Sequence, residues 1–493
     1  VPASPATVLR RARLGGTAVD VLVRDGVVAA IGPDAAVPPG AEVVDLDGRW
    51  LLPGMWDNHV HLDECALNRM RLDVSGAASA AAAADLVAGR LWTGPGPEPG
   101  LPLVGHGFRD ALWPDVPGRD LLDRAAGDVP VVLVSADLHC CWVNGAAARR
   151  YGVGDDDGMV RETAGQALRE QVGRVPDAVL DRHVAAVLAD AAARGTVSVV
   201  DFQEPWSLDR WAARLAAGPG AVRVVASVWP VHLDDAVARG LRTGDVVPGT
   251  SGLLTAGPLK ILTDGSLNTR TAFCHEPYAF PPDAAHPCGV LLVPPAELEP
   301  LLRRATAAGV EVAVHAIGDR ANGLVLDAFA ATGAAGRIEH AQLLSDGDAA
   351  RFAALGVVAS VQPEHAVDDR DVADRHWAGR THRAFAYRSL LDAGAALVLG
   401  SDAPVAPLDP WVTLAAAVHR SGDGRPSWHP EQEVPVSVAL AASAGPDGPV
   451  APGRRADLVV TDLDPLAATP AQLRAMPVAA TMVGGRWTHR DGV

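Results

Sequence analysis

His59 and His61 stand two residues apart in Met55-Trp-Asp-Asn-His-Val-His61. In an extended strand, residues i and i+2 point to the same side, so both imidazoles can reach one ion. Three further strand-like runs stop at groups of the same kind: Val312-Ala-Val-His315, Arg337-Ile-Glu-His340 and Leu397-Val-Leu-Gly-Ser-Asp402. Neutral imidazoles and carboxylates suit Zn2+ and related divalent ions. In chain order, Lys260 falls between the His59/His61 pair and His315, and it is the sole lysine among 42 Lys and Arg residues. A lysine, unlike an arginine, can lose its proton and act as a nucleophile, or combine with CO2 to form a carbamate. Burial at a strand end would favour the neutral amine. A carbamate there would bridge two ions about 3.5–4 Å apart and lower the pKa of a shared water toward ~7. Asp402 could ligate one ion and carry the proton of that hydroxide to a leaving nitrogen. Each group taken alone reads equally as a buried, hydrogen-bonded histidine or a helix-capping aspartate. Their common placement at strand ends is what marks them.

The elements that must position these groups are legible as ten strand-like runs. They are 55–61, 101–105, 131–135, 197–202, 222–228, 259–262, 310–315, 337–340, 357–361 and 396–400. Helical stretches such as 320–330 and 349–354 follow several of them. Strands alternating with helices predict βα units, here an α/β fold with a (β/α)8 barrel whose C-terminal face carries the site. Ten runs exceed the eight of such a barrel, so at least one belongs to an insertion, placed at about 106–195 within a barrel domain spanning 53–445. Residues 1–52 and 446–493 read as short β-strands. Arg24-Asp-Gly26 lies between two β-branched runs there, a strong hairpin signal. Both termini are therefore expected to build one small β-sandwich.

The composition excludes several classes. With 493 residues, 48% hydrophobic and 20% charged, the chain suits a large folded domain plus a smaller one. A net charge of −17 without basic runs argues against a nucleic-acid partner. No apolar stretch reaches the ~20 residues that span a bilayer. Arg10, Arg11 and Arg13 are followed by no apolar run, so no secretory leader is expected. Five cysteines without zinc-finger spacing fit free thiols in a reducing cytoplasm.

On these residues the chain resembles the amidohydrolase superfamily, and within it the YtcJ-like amidohydrolases. The resemblance implies a metal-dependent (β/α)8 barrel. His59, His61, Lys260, His315, His340 and Asp402 fall on its ligand positions, with Lys260 carboxylated and two divalent ions, most simply Zn2+. Lys260-Ile-Leu-Thr-Asp-Gly-Ser, His315-Ala-Ile-Gly-Asp-Arg-Ala, Ser360-Val-Gln-Pro, Gly400-Ser-Asp-Ala-Pro and Pro452-Gly-Arg-Arg-Ala-Asp-Leu-Val-Val are similar to the more specific YtcJ-like blocks. The match spans nearly the whole chain. Two departures bear on the substrate: Asn268 stands where the family has glycine, and His61-Leu-Asp-Glu64 resembles cytosine-deaminase-like members.

The resemblance also implies a pocket position for His139, and a place beside the metal ligands for Glu162, which could equally cap a helix. Arg270, Arg320 and Gln362 are candidate substrate contacts. Asp264 and Asp319 are candidates for orienting the ligands, although these charges could also pair with one another. The expected activity is hydrolysis of an amide, N-acyl or N-formyl C–N bond in a small molecule by a metal-bridging hydroxide, with a homodimer as the expected assembly. Two rivals are a mononuclear deaminase of an amino-heterocycle, which leaves the sole lysine unexplained, and a silent barrel scaffold. The scaffold should lack one or more ligands.

Overall fold

In the computed structural model, residues 6–110, 113–136, 140–153, 157–204, 206, 208–218, 220–281 and 284–493 are described. The chain forms two compact units: one comprises residues 1–62 together with 188–493, the other residues 63–187.

The first unit holds eight parallel strands: β1 (Met55–Val60), β2 (Thr196–Asp201), β3 (Arg223–Val228), β4 (Leu254–Leu262), β5 (Val312–Ala316), β6 (Gly336–His340), β7 (Val358–Val361) and β8 (Leu397–Leu399). They pair in chain order from β1 to β8. The sheet closes on itself where Val60 bridges Ala403, with backbone bonds from Asp402 N to His59 O and from His61 N to Ala403 O, both 2.8 Å. Eight of the ten predicted runs are these strands. β3, β5, β7 and β8 are nearly continuous runs of Val, Ala and Leu because helices cover the outer face and side chains fill the lumen. Helices Pro295–Ala308, Asp319–Thr332 and Asp348–Leu355 follow β4, β5 and β6. Leu298, Leu302, Val325, Phe329 and Phe352 are fully or almost fully buried on their inner faces.

Strands from both chain ends form a separate eight-stranded sheet in this unit. Its order is Arg486–Arg490, Val478–Val483, Leu458–Thr461, Trp50–Pro53, Thr7–Leu14, Thr17–Arg24 and Val27–Gly32, with Glu42–Asp45 also paired to Thr7–Leu14. The Asp25-Gly26 turn takes left-handed backbone at both residues (φ 53° and 78°), as a tight hairpin requires. Leu9, Val21, Leu46, Leu51, Leu458 and Met482 make its core.

The second unit carries the remaining two runs. Leu103–Phe108 and Val131–Ser135 lie in a five-stranded sheet with Leu72–Asp73, Cys140–Val143 and Met159–Arg161. Helices Ala80–Trp92 and Arg119–Ala126 pack on it around Val87, Phe108, Leu133 and Trp142. The unit begins at Asp63, upstream of 106, because Leu72–Asp73 pairs with Leu103–Phe108. No helix among the described residues is long and apolar enough to cross a membrane.

Candidate metal centre

His59 ends β1 fully buried, and the local chain is built to hold it. The Asp57 carboxylate accepts from His59 N at 3.1 Å and from Ser401 N at 2.9 Å, tying β1 to the chain just beyond β8. Asn58 Nδ2 donates to Leu399 O at 2.9 Å across the same seam. Gly400 permits this approach, since a Cβ there would lie 2.7 Å from His59 N. His340 and Asp402 both adopt left-handed backbone, φ 72° and 59°. Non-glycine residues pay for that conformation, and such outliers gather at functional sites.

The donor atoms converge. His59, His340 and Asp402 each offer one ligand atom, and the three lie within 4.8 Å of one another. Asp402 Oδ1 is 3.4 Å from Nε2 of His59 and 3.4 Å from Nε2 of His61. Lys260 Nζ, on β4, is 3.2 Å from His59 Nε2 and 4.3 Å above the Phe202 ring. The His315 ring stands edge-on to His340 with centroids 4.5 Å apart, while its Nε2 faces Gly265 O at 3.2 Å.

Electrostatics prepare these groups for a cation. Burial, aided by Lys260, pushes the His59 imidazole down to about 4. Burial and His315 hold His340 well below its usual value. Both are therefore neutral near pH 7 with a lone pair to offer. Burial also brings Lys260 down to about 8, so a usable fraction of the amine is unprotonated. For Asp402, burial opposes ionisation, but His59, His61, His340 and His365 outweigh it and keep the carboxyl well below the usual range. His340 Nδ1 is buried with no hydrogen-bond partner among the described residues. An unpaired imidazole nitrogen beside a buried carboxylate fits a divalent ion.

Two acidic or basic groups here were not singled out from the sequence. Glu339 is fully buried, receives His59 Nδ1 at 2.8 Å and pairs with Arg337 Nε at 2.7 Å. Burial opposes its charge, yet Arg337 and His59 hold it at about 2. It thereby fixes which His59 nitrogen is free to face the other ligands. His365 stacks on His340 (centroids 6.1 Å, 12° between planes) and points Nε2 at Asp402 Oδ2, 3.8 Å away. The available signals were a glutamate two residues from an arginine on one strand face, and a histidine three residues after Gln362.

The other sequence candidates are more dispersed. Gln362 is buried with Nε2 3.5 Å from His59 Nδ1. Asp264 accepts from Phe273 N, Ile317 N and Gly318 N at 2.8–3.0 Å and lies 3.4 Å from His315 Nε2. Asp319 opens its helix and accepts from His275 N at 2.9 Å. Arg270 donates to Phe280 O at 3.3 Å. Arg320 is exposed and lies over the Phe273 ring at 4.6 Å. His139 lies outside the described residues, as does the side chain of Glu162, the first residue of helix Glu162–Val172.

A barrel with these groups at one end invites comparison with known proteins. The Amidohydrolase family profile (Amidohydro_3) matches residues 42–489. The chain belongs to the amidohydrolase family. Its relatives include the protein named Putative amidohydrolase YtcJ of Bacillus subtilis (strain 168), 29% identical over 94% of this chain and 95% of that protein. The N-substituted formamide deformylase of Arthrobacter pascens is 26% identical, covering 94% of each. An uncharacterized metal-dependent hydrolase from Pyrococcus horikoshii OT3 superposes with a TM-score of 0.78 at 26% identity, over 94% of this chain and 99% of that one. Family membership makes the chain a hydrolase acting on carbon–nitrogen bonds, with a His/Asp group able to bind metal.

Proposed function

We propose that this chain cleaves the amide bond of a small N-acyl or N-formyl compound, with N-substituted formamides as the first class to test. The observation that carries this reading is the convergence of His59, His340 and Asp402 at the barrel end, with Lys260 3.2 Å from His59. Similarity over nearly full length to a formamide deformylase supports the substrate class. His59, His61, His315, His340, Asp402 and an N-carboxylated Lys260 would hold two divalent ions, most simply Zn2+. When bound, such ions supply an activated water and polarise a carbonyl oxygen.

The chain's own groups do the rest. The neutral Lys260 amine adds to CO2 and releases its proton, leaving a carbamate where the bare ammonium would repel a cation. Asp402, kept ionised, accepts the proton of the attacking water and delivers it to the departing nitrogen. Glu339 holds His59 in one tautomer, and the face of Phe202 shields Lys260 from water. Arg270, Arg320 and Gln362 are proposed substrate contacts, while Asp264, Asp319 and Glu162 are proposed to steady the ligands. None of the five cysteines is in a disulfide, which supports a reducing, cytoplasmic setting. A homodimer is proposed as the working assembly.

The test is a panel of N-substituted formamides, longer N-acyl amines and amino-heterocycles offered to the metal-loaded enzyme. The proposal expects formate or a carboxylic acid together with a free amine. Ammonia release from the heterocycles alone would replace it with a deaminase.

A further inference from the structure

The second unit contains a cavity of about 460 Å³ that the hydrolytic site does not use. All of its lining comes from residues 67–186: the C-terminal end of helix Leu62–Met70 with Arg71, helix Ala80–Trp92, the loop 95–102, Val104 of strand Leu103–Phe108, Val172 at the end of helix Glu162–Val172 with Val175, and helix Asp177–Ala193. That volume falls in the range of small-molecule sites. Its body is apolar, formed by Leu67, Met70, Val104, Val172, Val175 and Ala186. Around this body stand four arginines (Arg69, Arg71, Arg90 and Arg182) and one carboxylate, Glu98.

The single carboxylate is already spent. Its two oxygens take Arg182 Nη2 at 2.7 Å and His183 Nε2 at 2.8 Å. This clamp pins the loop Gly94-Pro-Gly-Pro-Glu-Pro-Gly100, whose three prolines limit its freedom, against the helix that carries Arg182. Arg71 and Arg90 are left over: among the described residues neither guanidinium has an ion-pair partner. Arg90 Nε is buried and makes no hydrogen bond. A buried donor without an acceptor is uncommon in a folded protein and calls for a ligand. A local excess of cations is also against the grain of a chain with net charge −17.

We infer that this cavity is a binding site for a small organic acid, its apolar body between Leu67, Val104, Val172 and Ala186 and its carboxylate on Arg71 and Arg90. A guanidinium fork matches a planar carboxylate in geometry as well as charge.

Calorimetric titration of the full-length, metal-loaded protein with octanoate tests this, with octan-1-ol and inorganic phosphate as comparison probes. One octanoate per chain is expected, bound at least ten-fold more tightly than either comparison probe. The affinity should fall at least ten-fold in an Arg71→Gln/Arg90→Gln variant, with the rate of amide hydrolysis unchanged. Ala186→Trp, which fills the apolar body and keeps both arginines, should abolish binding and stands in if the double variant does not fold. Absence of octanoate binding, equal binding of octan-1-ol or phosphate, or undiminished binding in the folded variants would each overturn the assignment.

Discussion

The two sides of the barrel site are held by different means. On the side of β1, β6 and β8, charged and polar side chains hold one another: His59 on Glu339, Glu339 on Arg337, Asp402 facing His59, His61 and His365. These groups are largely buried, and Asp402, like the neighbouring His340, sits on left-handed backbone. On the side of β4 and β5, His315 is only half-buried, and its surroundings are fixed by backbone N–H groups converging on Asp264. The first arrangement depends on mutual neutralisation of buried charge, so removing one member strands another. The second rests on a carboxylate anchoring main chain, which tolerates loss of charge better while an acceptor remains.

Substitutions that sharpen this contrast range from severe to negligible. Asp402→Asn keeps the shape and removes the proposed proton acceptor, and kcat is expected to fall on the order of 10²–10⁴-fold with the fold intact by circular dichroism. Glu339→Gln should weaken zinc affinity about 10–100-fold, measured by competition with a chromophoric chelator, because His59 and Arg337 both lose their charged partner. Asp264→Asn should cost about 1–3 kcal/mol in urea unfolding, through weakened acceptance of three N–H groups. Its effect on zinc affinity should be smaller than that of Glu339→Gln, and a larger effect would erase the distinction between the two sides. Arg320→Ala, at an exposed position, should shift stability by less than about 0.5 kcal/mol in the same experiment.

How much of this could be read in advance depended on how far apart the partners lie in the chain. His59, His315, His340 and Asp402 announce themselves because each stands at or just beyond the end of a strand-like run, and a run that stops at a candidate ligand is visible locally. Lys260 announced itself by being the only one of its kind. Glu339 did not, although it neighbours His340, because its meaning lies in a bond to His59 across 280 residues. Asp57 likewise looked like an ordinary residue before a histidine, and its bond to Ser401 N closes the barrel. Periodicity found all eight barrel strands but could not separate them from 101–105 and 131–135. Buried strands in both sheets are runs of the same β-branched and aliphatic residues. Arg270 and Arg320 were readable as charges near ligands, but whether a charge faces a pocket or an aromatic ring is decided by tertiary packing.

Lys260 is central to the proposed two-ion site. Elemental analysis of protein prepared with bicarbonate and limiting Zn2+ tests it directly, for wild type alongside Lys260→Ala and Lys260→Arg. Two ions per chain are expected in wild type and fewer in both variants, with activity lost in each and partly restored to Lys260→Ala by a short carboxylic acid. A single ion per chain in all three proteins, with Lys260→Arg as active as wild type, would contradict it.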